Sequence, residues 1–305
     1  MGRSYRYLHY DVFTDHLFGG NQLAVVPDGR GLSGDTMQAI AKEMNFSETT
    51  FVLPPETPGT DVRMRIFTPG AEMPMAGHPT IGTTFALARA GAIERGRTHF
   101  VFGCNIGPVP VAMTWNGGDL GFAWMTQPLP AFGEPIPDPA RTAAALSLSP
   151  TAVAGTGLPV QVVSCGVPFL FVPLTARRAV DNVVVNMSVL DTLFSATGAS
   201  PNGIFVFSAE PGEPRATVYS RMFAPELGVS EDPATGAASG PLGCYLVRHR
   251  VVQPDKAESM ISLQGAKMGR PSYVHMAIGL QQGEISSVRV GGEAVLAGEA
   301  TLYVT

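Results

Sequence analysis

A chain of 305 residues with 45% hydrophobic and 15% charged residues has an ordinary globular composition and is long enough for two cores. Its net charge of −5, with no Lys/Arg block, excludes the electrostatic footprint of a nucleic-acid or anionic-membrane binder. The 35 Gly and 26 Pro imply many turns and short elements.

The N-terminus opens straight into an alternating, aromatic-rich pattern over residues 5–13. There is no apolar signal core, and Arg6 stands where a myristoylation motif requires Ser or Thr. Residues 22–26 form a short apolar run, and the Gly19-Gly20-Asn21 turn before them predicts an antiparallel hairpin. Over residues 33–45 the apolar Met37, Ile40, Ala41 and Met44 recur with a helical period, bounded by Ser33 as N-cap and Asn45 as C-cap. Residues 49–53 and 62–67 read as strands, followed by a helix from about Pro79-Thr80 to Ala90.

Prolines 128, 130, 135, 137 and 139 predict an extended, linker-like segment close to a lobe boundary. Beyond it come strands over 160–163 and 169–172, a helix over 188–197, strands over 204–207 and 216–223, and a helix over 235–248. Two last strands, 286–290 and 300–304, are assigned to neither lobe by pattern alone. The most apolar stretch, 162–174, is 13 residues long and interrupted by Ser164, Gly166, Pro168 and Pro173, whereas a bilayer span needs about 20. Three widely spaced cysteines, Cys104, Cys165 and Cys244, fit reduced thiols and a cytoplasmic location.

Residues 49–91 and 203–246 read as two copies of one unit. Arg65-Ile66-Phe67-Thr68-Pro69 matches Arg221-Met222-Phe223-Ala224-Pro225, and Gly77-His78-Pro79-Thr80-Ile81-Gly82 matches Glu231-Asp232-Pro233-Ala234-Thr235-Gly236. On this alignment His78 corresponds to Asp232 and Glu48 to Asn202, both at an offset of 154. A duplicated unit predicts two lobes with a small-molecule cleft between them.

Both Gly-Pro segments are expected to start helices, with the Pro at the first helical position and the free amides able to hold a carboxylate. Asp232 as a simple helix cap and His78 as a structural filler are the competing readings, and recurrence in both copies favours the site. Glu48, between Phe46 and Phe51, is expected to project into apolar surroundings with a raised pKa suited to moving a carbon-bound proton. A hydrogen-bonded rim carboxylate is the plain alternative.

Gly29-Arg30-Gly31-Leu32-Ser33-Gly34, with Glu56 further on, matches a dinucleotide fingerprint. Pro27 and Asp28 separate it from the strand, and the flanking strands read as antiparallel, which weighs against that use. The six histidines are scattered and no CxxC occurs, so no metal site is expected. Neither Gly-Pro loop carries a Cys for a two-thiol racemase.

Asn45-Phe46-Ser47-Glu48-Thr49, Arg65-Ile66-Phe67-Thr68-Pro69 with Glu72, Ala76-Gly77-His78-Pro79-Thr80-Ile81-Gly82, Gly166-Val167-Pro168-Phe169-Leu170 and Glu231-Asp232-Pro233-Ala234-Thr235-Gly236 together closely resemble the phenazine biosynthesis PhzF-like proteins, in collinear order. The resemblance implies an α+β, diaminopimelate epimerase-like fold: two pseudo-symmetric lobes, each a curved, mostly antiparallel sheet around a central helix. The lobes would be 1–118, joined by the C-terminal strand 291–305, and 119–290, in a homodimer.

The resemblance also implies a cofactor-independent isomerase that shifts a proton on a small carboxylated, cyclic carbon acid. Glu48 would be the acid/base, His78 and Asp232 would orient the substrate or relay its proton, and Gly77, Thr80, Gly82, Thr235, Gly236 and Ala237 would bind the carboxylate. No metal or organic cofactor is implied. Two positions depart from the family pattern: Ala237 replaces a Ser, and Gln22 follows Gly-Asn where Pro is common. The first removes a hydroxyl from the substrate region. A catalytically silent carboxylate-binding protein of the same fold is the alternative function, and an epimerase or racemase a further one.

Overall fold

The computed structural model describes residues 2–196 and 200–304. The last residue of the helix expected over 188–197 lies outside them. Contacts divide the chain into one unit of residues 1–126 with 290–305 and another of residues 127–289. The boundary expected after residue 118 falls in the turn between two paired strands of the first unit.

The first unit contains β1 (Arg3–Val12), β2 (Asn21–Val26), α1 (Gly34–Met44), β3 (Glu48–Leu53), β4 (Val62–Phe67), β5 (Glu72–Met73), α2 (Gly77–Arg89), β6 (His99–Cys104), β7 (Gly107–Asn116) and β8 (Asp119–Gln127). β1 and β2 form the expected antiparallel hairpin. β2 then runs parallel to β3 across α1, so the dinucleotide-like segment does lie in a parallel crossover, contrary to the antiparallel expectation. Its glycines serve packing: side chains added at Gly31 and Gly34 would meet the guanidinium groups of Arg3 and Arg65, and Glu56 pairs with Arg63 at 3.2 Å.

α1 forms as its sequence requires. The Ser33 side chain accepts the Thr36 N–H, Asn45 closes the helix in the left-handed region at φ 53°, and Met37, Ile40 and Ala41 pack with Tyr5, Val26, Phe51 and Phe67. α2 instead buries eleven consecutive residues, Gly77 through Leu87. Small residues let the backbone come close: a Cβ on Gly82 would lie 2.5 Å from Leu23 and 2.7 Å from Val12.

The second unit contains β9 (Ala131–Ile136), α3 (Pro139–Ala145), α4 (Pro150–Ala154), β10 (Val160–Ser164), β11 (Pro168–Pro173), α5 (Arg177–Asp181), α6 (Met187–Ala196), β12 (Ile204–Ser208), β13 (Val218–Ala224), β14 (Val229–Asp232), α7 (Gly236–Arg248), β15 (Met260–Gln264) and β16 (Ser272–Gln281). The proline-rich segment is not a linker. Residues 131–136 are β9, which pairs with β10 through Ile136–Val160 and Ala131–Ser164, and Pro137 and Pro139 lead into α3. Pro is tolerated in a strand where the ladder does not need its N–H.

β17 (Glu284–Gly292) spans the boundary, and β18 (Ala294–Val304) returns to the first unit as the antiparallel partner of β1.

The two units repeat the same pairings. β1–β2 and β10–β11 are antiparallel, β2–β3 and β11–β12 parallel, β3–β4 and β12–β13 antiparallel, and β4–β6 and β13–β15 parallel. α7 is buried like α2, from Gly236 through Leu246. Among the described residues no helix is long and apolar enough to cross a membrane.

Candidate active site

At the amino end of α2, Ala76 is extended and offers no side chain to the first-turn amides. The Thr80 hydroxyl donates back to the Ala76 carbonyl at 2.8 Å, and Thr84 does the same to Thr80. Pro79 is the third helical residue, not the first; its missing N–H falls among donors that have no intrahelical acceptor.

His78, the second helical residue, turns inward with 3% of its side chain exposed. Its Nε2 lies 3.2 Å from Glu48 Oε2 and its Nδ1 lies 3.1 Å from Asn21 Nδ2. Burial pushes the imidazole pKa down to about 3, and the Gln22 carbonyl offsets this only in part, so the ring is neutral at ordinary pH.

Glu48 opens β3, and the parallel register sets it beside Leu23, two residues after Asn21 on β2. Phe46, two residues before Glu48, stacks on His9 with ring centroids 4.7 Å apart. With 16% of its side chain exposed, the Glu48 carboxylate is sheltered but reachable. A carboxylate against a neutral imidazole at a helix amino end has the makings of an acid/base group.

The second unit gathers a different set. Thr235 precedes α7, and its hydroxyl donates to Asp232 Oδ2 at 2.6 Å. Gln264, the last residue of β15, accepts the Thr235 N–H at 3.0 Å and donates to the Thr235 hydroxyl at 2.9 Å and to the Asp232 carbonyl at 2.7 Å. Gly265 follows at φ 73°, where a Cβ would lie 2.5 Å from the Pro233 carbonyl. Gln127 donates to the Gly236 carbonyl at 3.0 Å. Ala237 is the second residue of α7.

Of the expected site residues, the structure brings Glu48 and His78 together in the first unit and Asp232, Thr235, Gly236 and Ala237 together in the second. Gly77 is the first residue of α2. Thr80 and Gly82 are fully engaged in the helix and its packing.

The ladders also correct the alignment of the repeat. Arg65 and Arg221 do correspond: each clamps a glutamate through two hydrogen bonds, Arg65 to Glu72 at 2.8 and 2.7 Å and Arg221 to Glu231 at 2.8 and 2.8 Å. Phe51 opposes Arg65 and Val206 opposes Arg221, which makes Gly203, not Asn202, the counterpart of Glu48. Beyond the arginines the matching helix starts are Gly77 and Gly236, so His78 corresponds to Ala237 and Asp232 to Met73. Likewise Thr80 bonds to Ala76 as Ser239 bonds to Thr235. His78-Pro79 and Asp232-Pro233 are alike in sequence and not in place.

Asn21 is legible in the sequence only as a turn residue, and Gln264 is not legible as a site residue. The Gly-Asn step was a usable signal for the first; a single Gln ending a strand offers none for the second. Among the described residues no group of three or more His, Cys, Asp or Glu side chains could hold a metal ion. Cys104, Cys165 and Cys244 are free and buried, with the last two sulfurs 4.0 Å apart.

The family model described as phenazine biosynthesis-like protein matches residues 10–300. This chain belongs to that family. It is 37% identical to an uncharacterized isomerase of Mesorhizobium japonicum over 98% of both chains. It is 36% identical to the trans-2,3-dihydro-3-hydroxyanthranilate isomerase of Pseudomonas aeruginosa, over 98% of this chain and 100% of that one. A solved PhzF-family phenazine biosynthesis protein of Bacillus anthracis aligns with a TM-score of 0.84 at 28% identity, covering 98% and 99% of the two chains. A hydroxyproline epimerase of Agrobacterium vitis, 16% identical, shares the fold with a TM-score of 0.66 over 99% of this chain and 91% of its own. The chain is thus a PhzF-like isomerase with the epimerase-type α+β fold expected from its motifs.

Proposed function

We propose that this PhzF-like isomerase shifts a proton between carbons of a small, cyclic, carboxylated carbon acid, with Glu48 as general acid and base and without metal or organic cofactor. The observation that carries the reading is the pair itself, Glu48 Oε2 at 3.2 Å from the buried, neutral His78 ring. A neutral imidazole does not compete for the proton at working pH, which leaves the carboxylate to take and return it. The first-turn amides of α2, beside Glu48 and His78, are suited to the substrate carboxylate. The small-molecule carboxylate is the proposed partner.

The corrected repeat favours isomerisation over two-base epimerisation: the counterpart of Glu48 is Gly203, which has no side chain to carry a proton. The methyl of Ala237 in place of a hydroxyl makes a substrate other than trans-2,3-dihydro-3-hydroxyanthranilate the better fit, so that compound is the reference in the test rather than the answer.

The test is incubation of the protein with a panel of cyclic unsaturated carboxylates, that reference included, in deuterated water after treatment with a chelator. Deuterium gained at carbon, with a double bond relocated, supports the reading. Saturable binding of a panel member without exchange would instead establish the silent carboxylate binder.

A further inference from the structure

A neutral imidazole has one N–H and one lone pair, so a donor fixed at one nitrogen decides what the other offers. Asn21 and His78 are 1% and 2% exposed, and Asn21 Nδ2 lies 3.1 Å from His78 Nδ1 on the side of the ring away from Glu48. We infer that Asn21 is the positioning residue of this site: its amide donates to His78 Nδ1 and confines the ring proton to Nε2, the nitrogen that lies 3.2 Å from the Glu48 carboxylate. The inference rests on the reading of Glu48 as proton carrier and adds the device that sets its resting state. An N–H on Nε2 favours the carboxylate over the carboxylic acid, and so the form of Glu48 that can take a proton. The reverse amide orientation would call for a proton on Nδ1 and leave a lone pair toward Glu48, which disfavours the ionised carboxylate.

The backbone holds Asn21 for this task. It is the first residue of β2, opposite Val12, and is preceded by Gly20 at φ 62°, where a side chain would meet the Val12 carbonyl and lie 2.7 Å from Thr14. The other end of the loop is tied by Asp11, whose Oδ2 accepts the Phe18 N–H at 2.8 Å. A backbone hydrogen bond with Gln22 works against the burial that keeps the ring neutral, and burial prevails.

Protein labelled with nitrogen-15 histidine gives the tautomer directly from two-bond proton–nitrogen correlations, with the His78 signals assigned by their loss in His78→Gln. Near neutral pH and without substrate, the wild type is expected to show a protonated-type shift at Nε2 and an unprotonated-type shift at Nδ1. Asn21→Asp, which replaces the donor with an acceptor, is expected to reverse the two. A wild-type ring protonated at Nδ1 overturns the inference, as does a folded Asn21→Asp protein with the tautomer unchanged. If that variant does not fold, the wild-type spectrum alone decides. Because no turnover is needed, the outcome stands apart from the test of Glu48: exchange retained in Glu48→Gln beside the expected tautomer would sink the base and not the positioning.

Discussion

Gln264 grips Thr235 twice, accepting its N–H at 3.0 Å and donating to its hydroxyl at 2.9 Å, while the second amide hydrogen reaches the Asp232 carbonyl at 2.7 Å. One fully buried side chain thus ties together the segment that delivers Asp232 and the start of α7.

Gln264→Leu keeps the apolar bulk and strands a buried amide and a buried carbonyl. At about 1–3 kcal/mol for each unsatisfied group, the unfolding free energy should fall by about 2–6 kcal/mol, read from urea denaturation. A loss below about 0.5 kcal/mol would show that water or a shifted loop satisfies both groups.

The two arginine clamps should differ in cost although their geometry repeats. The Arg221 side chain is 8% exposed, and its Nη1 also donates to the carbonyls of Val180, Asp181 and Val183 at 3.0–3.2 Å, whereas Arg65 is 24% exposed. Arg221→Ala leaves Glu231 and three carbonyls behind and should cost about 3–5 kcal/mol. Arg65→Ala should cost about 1–2 kcal/mol, because solvent reaches its glutamate. Equal losses in thermal or urea unfolding would contradict the ranking.

The same repeat explains what the sequence could and could not say. Local signals worked where a few neighbours decide the outcome: Ser33 and Asn45 bound α1 as predicted, and the Arg65 and Arg221 strands align as read. Matching by eye failed beyond them. The β12–β13 connection is one residue longer than the β3–β4 connection, and the path from Arg221 to Glu231 is three residues longer than that from Arg65 to Glu72, with a 3-10 turn at Pro225–Leu227. Those insertions slid His78 onto Asp232 in sequence while the ladders kept it on Ala237. The proline-rich 131–136 read as linker because its strand character depends on pairing with β10, a partner about 28 residues away in the chain. The meander of β6, β7 and β8 is defined by its antiparallel pairings and carries no motif in the sequence. The Glu48–His78 pair was legible as two motifs, but their contact follows from α2 and β3 meeting in space.

Gly82→Ala tests the close approach of α2 to its sheet. The added methyl would lie 2.5 Å from Leu23 and 2.7 Å from Val12, both fully buried, so overpacking should outweigh the helix propensity gained. A net loss of about 1–3 kcal/mol is expected in thermal unfolding. A stabilised variant would mean that the helix can shift outward freely.

Stability should weaken on acidification before the carboxylates titrate. Burial lowers the pKa of His78 to about 3 and, with Arg215 adding to the effect, that of His275 to about 4, against 6.5 in the unfolded chain. Above 6.5 both states carry these rings neutral and the stability is complete; as pH falls below it the unfolded chain gains protons that the folded chain refuses, and stability is lost down toward the folded values. Glu72, held low mainly by its hydrogen bond to Arg65, adds its loss only below about 4.5. Urea midpoints between pH 7 and 4.5 should therefore slope in the wild type and slope less in His78→Gln with His275→Gln, where His249, also lowered by burial, keeps a share. An equal slope in the double variant would put the titration elsewhere.

Glu48→Gln is the most direct test of the account. It preserves size and hydrogen bonding beside His78 while removing the group that takes the proton, so the initial rate of deuterium uptake from deuterated water into a substrate carbon is the quantity to measure. The rate should fall by about 100- to 10,000-fold with the melting temperature held near that of the wild type. Uptake at the wild-type rate in the folded variant would contradict the assignment of Glu48 as the acid and base.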